Sequence, residues 1–369
     1  MNRGPMKVAR FLIEAFSTIR KRSPPSPGKR IHVRLVTISV SHFCEKARWA
    51  LDLVEADPDS PYFYTEDGHP PGFQTWEMHK LTDGQKSCTP TAFYSDGKED
   101  VLLTSSNDIV KHFLPQLYPK AVRCSYQKSF CYIYLIFVLN CIISLSTQIE
   151  SKIMKVEEDL GQRLGATSRS YAYHHLLTNL DNHDCRESVL KLCANPERVS
   201  KVERILFDKM LEKGIAKGIM KGVKANKEQA DVSLVALRKV FDEYSKILEA
   251  SGGEYLMDEK TNKGLKSYGF TAADLTFAAL ACPLIQPPEF LNWSAPLDKL
   301  PRELGDLREE LINTTAGKHA LKMYQNHRLV GDAHQVEAKT VNRNKFPSSV
   351  LFGAAISVGI GAAVYSATS

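Results

Sequence analysis

The sequence predicts an α/β domain followed by an all-α domain, and three observations support this order. The β-branched run Val33–Ile38 leads directly into a helix-periodic run that ends near Leu53. Farther on, an Asp-Gly turn separates two short apolar runs, 91–94 and Val101–Leu103, as in a β-hairpin. From Ile149 onward the apolar residues recur at helical spacing. With 369 residues the chain is long enough for two cores.

Composition and charge narrow the class of protein. The chain is 43% hydrophobic and 24% charged, and much of its net charge of +6 lies near the N-terminus. An excess this small and local does not indicate a nucleic-acid partner, and the sequence contains no zinc-finger, RNP or helix-turn-helix signature. The eight cysteines are scattered and none forms a Cys-x-x-Cys pair. This favours reduced intracellular thiols over a disulfide framework or a zinc site.

Residues 1–30 form a basic segment that contains eight Lys or Arg side chains and a single acid, Glu14. Its apolar residues would share one side of a helix, as in an organelle transit peptide or a membrane-surface helix. A solvated leader that ends in the Ser23–Gly28 linker is an equally open interpretation.

The junction Ser41-His42-Phe43-Cys44 lies where the first strand ends and the first helix begins. The free N–H groups and the positive dipole end of a new helix favour an anion there, and a thiolate is an anion. A second interpretation needs no chemistry, because Ser41 is also a common helix N-cap and Cys44 would then be a small buried hydrophobic residue.

Loops and short strands follow this unit. We expect a polar loop over Asp57–Gly72, and then a helix or an extended segment over Phe73–Leu81. The dipeptide Thr89-Pro90 precedes an apolar strand. The dipeptide Ser105-Ser106 begins a further helix, and either serine could serve as its cap.

In this order and at this spacing, residues 31–117 resemble the thioredoxin-like domain of the glutathione S-transferase superfamily. In that family a Ser or Cys opens the turn between strand and helix, and here Ser41 fills that position. Phe43 fits the family pattern, whereas His42 replaces the usual proline. Cys44 matches the second cysteine of a thioredoxin Cys-x-x-Cys motif.

The resemblance implies a glutathione site. A cis peptide at Pro90 would expose the backbone of Thr89, which would pair with the cysteinyl backbone of glutathione like an added strand. Ser106 and the helix N-terminal amides would hold the γ-glutamyl carboxylate. Ser105 replaces the acid that usually pairs with the γ-glutamyl ammonium. Ser41 would donate a hydrogen bond to the glutathione thiolate and thereby lower the pKa of the thiol.

The linker over 118–148 contains an uncharged apolar run, Phe130–Leu145. The run is shorter than the roughly 18–20 residues of a spanning helix. Three interpretations stay open: a transmembrane or re-entrant segment, an extra buried helix, or a retained intron. The last is compatible with the codons, since Val122-Arg123 can be encoded by a splice-donor sequence and Gln148 by a splice acceptor.

Residues 149–330 are predicted to form an all-helical domain. Thr271 and Asp274 have the spacing of a capping box ahead of an apolar run. They resemble the N-capping box of the transferase helical domain, where the motif serves folding rather than chemistry. An aromatic and histidine cluster at 171–175 could line an electrophile pocket or belong to the core. Lys213–Lys224 gives a basic face that could be solvated or contact anionic lipid.

The last segment, 348–369, carries no charge. With the preceding Phe346-Pro347 it approaches the length of a bilayer span, and the linker over 331–347 supplies basic residues on its N-terminal flank. The sequence therefore predicts a C-terminal transmembrane tail anchor with the body of the protein in the cytosol. The mitochondrial outer, plastid and endoplasmic reticulum membranes all remain open as hosts.

The resemblance thus implies a membrane-tethered glutathione S-transferase that conjugates glutathione to a small hydrophobic electrophile and uses no metal. A homodimer is compatible with this interpretation. One alternative is a non-catalytic binding module, because metaxin-like proteins of the mitochondrial outer membrane combine this fold with membrane attachment. Another is glutathione-dependent thiol exchange through Cys44.

Overall fold

The computed structural model describes residues 30–85, 88–118, 148–262, 264–290 and 296–328. Almost all of the basic N-terminal segment, the apolar run in the linker and the predicted tail anchor lie outside these residues. Within them, no helix combines the length and the apolar character that crossing a lipid bilayer requires.

The N-terminal domain is built on a four-stranded mixed sheet. Its elements in chain order are β1 (Ile31–Ile38), α1 (His42–Ala56), β2 (Tyr62–His69), α2 (Gln74–Leu81), β3 (Thr91–Ser95), β4 (Asp100–Leu103) and α3 (Ser106–Phe113), followed by a 3₁₀ turn, Pro115–Leu117. The strand order is β2-β1-β3-β4. β1 and β2 are parallel, whereas β3 is antiparallel to both β1 and β4. A βαβ unit followed by a hairpin and a helix is the thioredoxin-like arrangement that the sequence predicts.

β1 lies inside the sheet, and its sequence suits that position. Val33, Leu35, Val36 and Thr37 are fully buried. Because adjacent strand residues point to opposite faces, burial of consecutive residues means that both faces of β1 are covered. This is typical of a strand in a parallel βαβ unit, which packs helices on its sheet.

The polar loop predicted over Asp57–Gly72 is wrong, because β2 occupies half of this stretch. The local sequence hides the strand, since its second half carries Glu66 and Asp67, and strands are depleted in acidic residues. In the folded chain Glu66 pairs with Arg48 at 2.7 Å. Asp67 pairs with Arg34. The strand forms by parallel pairing with β1 along its whole length, and ion pairs with β1 and α1 accommodate its two carboxylates. Neither kind of partner is visible in the strand's own sequence.

The C-terminal domain is helical apart from one hairpin. Residues 148–160 form α4, which continues through a π-helical turn, Gly161–Gly165, into α5 (Ala166–Thr178). The next helices are α6 (His183–Cys193), α7 (Lys201–Glu212), α8 (Ile215–Gly222), α9 (Lys227–Ser251), α10 (Ala272–Ile285), α11 (Arg302–Ile312) and α12 (Thr315–His327), with 3₁₀ turns at Pro288–Phe290 and Leu297–Lys299.

The all-helical prediction is wrong for the connection between α9 and α10. There β5 (Glu259–Thr261) and β6 (Gly264–Lys266) form an antiparallel hairpin. Gly264 follows the turn with a φ of +115°, a conformation that favours glycine. Three-residue strands are too short to give a recognisable alternation of apolar and polar residues in sequence.

α10 is the centre of the helical domain, and nearly all of its residues are buried. A helix that is apolar all round is expected in the interior of a protein. At its start the Asp274 carboxylate accepts hydrogen bonds from the backbone N–H and the hydroxyl of Thr271, at 2.9 and 2.7 Å. The backbone N–H of Leu256 donates to the same carboxylate at 2.8 Å. This is the capping box expected from the sequence, and it joins the start of α10 to the preceding loop.

The two domains meet along α1. The indole N–H of Trp49 donates to the carbonyl of His327 at the end of α12, at 3.0 Å. The next residue, Arg328, donates to the Glu45 carboxylate at 3.0 Å and pairs with Asp52. The helix that follows the candidate turn is therefore held by both domains.

Candidate active site

Ser41 is the N-cap of α1. Its backbone is extended, with φ −75° and ψ 122°, and its Oγ accepts a hydrogen bond from the Cys44 N–H at 3.4 Å. The capping interpretation of Ser41 is thus realised in the structure. Accepting this bond leaves the hydroxyl proton available as a donor, so capping and hydrogen bonding to a thiolate are compatible roles for one side chain.

The turn before Ser41 is fixed by a buried guanidinium. Arg48 is 1% exposed, and its NH2 donates to the carbonyls of Ile38 and Ser39, both at 3.2 Å. Its Nε is paired with Glu66 on β2. A rigid planar group thus joins the end of β1, the turn and α1, which fixes where the Ser41 hydroxyl lies.

Cys44 lies behind the turn rather than at its surface. The side chain is fully buried, and its Sγ accepts a hydrogen bond from the Ile38 N–H at 3.4 Å. Burial raises the pKa of the Cys44 thiol, although the charge of Arg48 and the hydroxyls of Ser41 and Thr89 act in the opposite direction. Thiol exchange requires an accessible thiolate. This position does not supply one.

His42 and Phe43 face the helical domain. Nε2 of the buried His42 lies 3.0 Å from the carbonyl oxygen of Gly165, to which it donates. Burial and the nearby Arg169 lower the pKa of His42 to about 3, so the ring is neutral. Phe43 packs directly on Gly165, where a Cβ would lie 2.5 Å from the Cζ atom of the ring. The absence of a side chain at Gly165 therefore makes room for Phe43.

The dipeptide Thr89-Pro90 precedes β3 with a cis peptide bond, as the resemblance implies. Pro90 is buried and Thr89 is partly exposed. The Thr89 hydroxyl hydrogen-bonds to the thiol of Cys44 and lowers the pKa of that thiol, so this loop lies against the start of α1. Cys88, directly before it, is an exposed free cysteine.

The start of α3 carries two serines, Ser105 and Ser106, in different environments. Ser105 is the N-cap, and its Oγ accepts from the Asp108 N–H at 3.1 Å and donates to the Asp108 carboxylate at 2.7 Å. Its hydroxyl is therefore occupied by α3 itself. Ser106 begins the helix and is 5% exposed.

These segments surround a cavity of about 340 Å³ between the N-terminal domain and α4. Its walls come from α1, the loop before β3, the start of α3, α4 with its π-helical turn, and α10. The lining residues are Phe43, Lys46, Cys88, Thr89, Pro90, Thr104, Ser105, Ser106, Asn107, Glu157, Glu158, Gly161, Gln162 and Leu280. All five predicted glutathione-contacting residues are among them. Ser41 and Cys44 are not.

Comparisons with known proteins find matches among solved structures, but neither a protein-family model nor a curated protein matches the chain. The β-etherase LigF from Sphingobium sp. strain SYK-6 is 13% identical with a TM-score of 0.37, and the match covers 79% of this chain and 98% of that one. The glutathione transferase URE2P8 from Phanerochaete chrysosporium, with oxidized glutathione, is 12% identical with a TM-score of 0.35 over 82% and 97% of the chains. The glutathione transferase YghU from Streptococcus pneumoniae, complexed with glutathione, is 13% identical with a TM-score of 0.33 over 84% and 91%.

A mixed sheet of order β2-β1-β3-β4, followed by a helical domain that packs on α1, fits the predicted glutathione S-transferase-like fold.

A buried ion pair forms part of the cavity wall. Lys46 Nζ lies 2.7 Å from a Glu157 carboxylate oxygen, and it donates to the Asn107 side chain at 2.6 Å. The hydroxyls of Tyr118 and Thr276 donate to the same carboxylate, at 2.8 and 3.2 Å. Burial lowers the pKa of the Lys46 ammonium, while the charge of Glu157 raises it. These contacts join α1, α3, α4 and α10 where the two domains meet.

The sequence-based prediction of the site does not include the wall formed by α4, although the sequence of this helix contains a pattern that points to it. Ile149, Ile153, Leu160 and Leu164 form the buried stripe of this helix. Glu157 falls on the same stripe, four residues after Ile153 and three before Leu160. A charged residue on an apolar stripe needs a buried partner, and this would have indicated an ion pair between the domains.

Two other groups carry polar side chains but lie outside this cavity. His174 and His175 have ring centroids 5.0 Å apart, and neither lines the cavity. On α6, the ligand atoms of His183, Asp184 and Glu187 lie within 4.8 Å of one another. All three residues are exposed, and such a surface group is common without a metal ion.

Proposed function

We propose that this chain binds glutathione in the cavity between the N-terminal domain and α4, and transfers it to a hydrophobic electrophile. The observation that carries the proposal is the convergence of predicted residues. Phe43, Thr89, Pro90, Ser105 and Ser106 come from three separated segments, and all line one space of about 340 Å³. That volume lies at the lower end of the range of small-molecule sites, about 300–1,000 Å³.

The glutathione backbone would lie along the segment before β3. In this pose Thr89 would pair with the cysteinyl backbone, and Ser106 with the N-terminal amides of α3 would hold the γ-glutamyl carboxylate. The thiol would then point toward the start of α1, where Ser41 lies.

Ser41 would act as a hydrogen-bond donor to the glutathione thiolate. Its Oγ accepts from the Cys44 N–H, which polarises the hydroxyl and favours donation of its proton. The positive end of the α1 dipole favours an anion at the same place. Both effects would lower the pKa of the bound thiol, so that its proton leaves to solvent near neutral pH.

The thiolate would then attack an electrophilic carbon. One carbon–sulfur bond forms, the leaving group departs with its electron pair, and Ser41 keeps its proton throughout. Phe43 and Leu280 supply apolar surface in the cavity, which suits a hydrophobic electrophile. Thiol exchange through Cys44 fits less well, because that side chain is fully buried.

The test compares the full chain with Ser41→Ala, Ser106→Ala and Cys44→Ala, measuring glutathione affinity by calorimetry and the pKa of the bound thiol by its ultraviolet absorbance. Hydrogen bonds to a charged group contribute about 1.5–3 kcal/mol. We therefore expect Ser106→Ala to weaken binding by about 10–100-fold. Ser41→Ala should change affinity little and should raise the pKa of the bound thiol toward that of free glutathione.

A capping control separates chemistry from stability. Ser200 is the N-cap of α7 and accepts from the Glu203 N–H at 3.2 Å, outside the cavity. Ser200→Ala removes a comparable cap, at a cost of about 1 kcal/mol, and should leave the thiol pKa unchanged. Absence of saturable binding at millimolar glutathione would overturn the proposal and leave a non-catalytic module. Loss of turnover in Cys44→Ala alone would indicate thiol exchange.

The membrane-related part of the function stays a prediction. The predicted anchor, 348–369, lies outside the described residues, and so does nearly all of the basic segment at 1–30. We propose that residues 348–369 attach the protein to an intracellular membrane with the body in the cytosol. A fluorescent fusion to the N-terminus, with and without 348–369, should change from a membrane to a diffuse pattern. An identical pattern for both would refute the anchor.

A further inference from the structure

One segment of the helical domain lies against the edge of the N-terminal sheet. Residues 194–200 join α6 to α7, and Val199 forms a parallel bridge with Gly68 on the edge strand β2. A Cβ on Gly68 would lie 3.0 Å from both the Cβ and the carbonyl oxygen of Arg198, so glycine permits this close approach. The approach places the buried Arg198 side chain beside Glu66 on the same strand.

Two guanidinium groups share the Glu66 carboxylate. Arg48 Nε lies 2.7 Å from Oε1, and Arg198 Nε lies 3.4 Å from Oε2. The Thr37 hydroxyl also donates to Oε1. Burial raises the pKa of Glu66, but the charges of Arg198 and Arg48 outweigh burial and lower it, so the carboxylate is ionised. Each oxygen of this carboxylate is therefore occupied by a cation from a different part of the chain.

This division of the carboxylate determines what the rest of Arg48 binds. The Nε and the neighbouring NH2 of a guanidinium form a fork that commonly binds both oxygens of one carboxylate. In Arg48, Nε binds Glu66, whereas NH2 donates to the carbonyls of Ile38 and Ser39, both at 3.2 Å. Those carbonyls belong to the turn that leads to Ser41, so the second arm of the fork holds the turn instead of the carboxylate.

We propose that Arg198 of the helical domain is a positioning residue for the Ser41 hydroxyl. By occupying Oε2 of Glu66, Arg198 prevents Arg48 from closing its fork on the carboxylate, and the NH2 of Arg48 stays on the turn. The helical domain thereby sets the direction in which Ser41 donates its proton. This inference rests on the proposed function, in which Ser41 is the hydrogen-bond donor to the glutathione thiolate.

The test measures the pKa of the bound glutathione thiol by ultraviolet absorbance, and glutathione affinity by calorimetry, in the full chain. In Arg198→Met, Arg48 is free to bind both oxygens of Glu66 and to release the turn. We expect the pKa of the bound thiol to rise by about one unit, which lowers the thiolate fraction about tenfold at a pH below that pKa. Where the thiol is protonated, glutathione affinity should stay unchanged, because Thr89 and Ser106 take no part in these contacts.

A conservative variant and a compensating variant make the test specific. Arg198→Lys keeps a cation on a side chain long enough to reach Glu66, so the pKa of the bound thiol should stay near the wild-type value. Adding Glu66→Gln to Arg198→Met leaves a single acceptor oxygen on that side chain, which cannot bind both arms of the fork. The NH2 of Arg48 should then return to the carbonyls of the turn, and the pKa of the bound thiol should return toward the wild-type value.

His69→Gln is the matched control for stability. Its Nδ1 lies 2.8 Å from a Glu203 carboxylate oxygen on α7, so this variant weakens the contact between β2 and the helical domain without removing a partner of Glu66. It should lower the melting temperature and leave the pKa of the bound thiol unchanged. An equal rise of that pKa in His69→Gln and Arg198→Met would overturn the inference, because a general loosening between β2 and α7 would then explain both.

Gly68→Ala provides a second test that retains every charge, and it decides the question if Arg198→Met does not fold. The new Cβ would lie 3.0 Å from the Arg198 Cβ and would move this segment away from β2. The pKa of the bound thiol should therefore rise in Gly68→Ala as well. An unchanged pKa in a folded Gly68→Ala would count against Arg198.

The outcomes separate this inference from the proposed function. If the wild type binds glutathione and Arg198→Met keeps the wild-type pKa of the bound thiol, the role of Arg198 is wrong while the glutathione site stands. If the double variant keeps the raised pKa of Arg198→Met, competition for Glu66 does not hold the turn, and the inference is overturned. If the wild type does not bind glutathione at millimolar concentration, both fall. Thermal melting of each variant verifies folding.

Discussion

The ion pair of Lys46 and Glu157 allows a quantitative test of how the two domains are joined. The side chains are 1% and 2% exposed, and their charged atoms lie 2.7 Å apart. We consider Lys46→Met, which keeps a similar side-chain length and removes the charge. The carboxylate of Glu157 then remains buried without its cation, although Tyr118 and Thr276 still donate to it.

The expected loss follows from this geometry. Breaking a buried pair by removing one partner destabilises a protein by about 3–5 kcal/mol. Since two hydroxyl donors remain on Glu157, we expect the lower end, about 3 kcal/mol. At about 2–4 °C per kcal/mol for a domain of roughly 150–250 residues, the melting temperature should fall by about 6–12 °C. Urea unfolding measures the free energy directly.

Two further variants make the reasoning refutable. Combining Lys46→Met with Glu157→Gln removes both charges, so the double variant should be more stable than the sum of the two single losses implies, by about 2 kcal/mol. The pair Lys111–Glu150 joins α3 to the same helix α4 at 2.9 Å, but its side chains are 47% and 25% exposed. Lys111→Met should therefore lose less than about 1 kcal/mol. Additive losses of the two single variants, or equal losses at Lys46 and Lys111, would refute the inference that the buried Lys46–Glu157 pair stabilises the contact between the domains.

Two other predictions concern pH and packing. Burial lowers the pKa of His69, but carboxylates led by Glu203 raise it to about 9. The ion pairs of the protonated ring therefore stabilise the folded state fully below the unfolded pKa of about 6.5. This stabilisation is lost as the pH rises through 9. In urea titrations the stability difference between wild type and His69→Gln should shrink by about 3 kcal/mol from pH 6 to pH 10, and a constant difference would contradict this. Gly165→Ala should lower the free energy of unfolding by about 1–3 kcal/mol, because the new Cβ displaces Phe43. Gly305→Ala is the control and should not lower it, because the space around that Cβ is open. Similar melting temperatures for the two variants would show that the Phe43 contact is unimportant.

Local signals account for the parts of the fold that the sequence predicts. A β-branched run, a cap at Ser41 and a helical repeat mark the first β-strand and helix within one short stretch. The helix start at Ser106 likewise depends on a few adjacent residues, whereas the cis peptide before Pro90 was implied only by the family resemblance. The capping box of Thr271 and Asp274 belongs to the same class.

The parts that the sequence did not reveal depend on distant partners. β2 is a strand although it carries Glu66, because Arg48 and Arg198 neutralise that carboxylate from α1 and from the helical domain. The α4 wall of the cavity depends likewise on Lys46, which lies 111 positions before Glu157. Periodicity reports burial along one element, but it does not identify which charges meet across two domains.

The charged residues of α1 indicate that the candidate site belongs to both domains rather than to the N-terminal one alone. Lys46 is paired with Glu157 of α4, and Glu45 with Arg328 at the end of α12. Without the helical domain these α1 charges would lose their partners, and the cavity would lose the wall that contains Glu158. The same helix carries Arg48, which holds the carbonyls of the turn that presents the Ser41 hydroxyl. Glu45 lies 3.5 Å from Arg48 and 3.0 Å from Arg328, so a pair that joins the domains also contacts the guanidinium that holds this turn. Loosening the interface should therefore raise the pKa of the bound thiol before it abolishes binding.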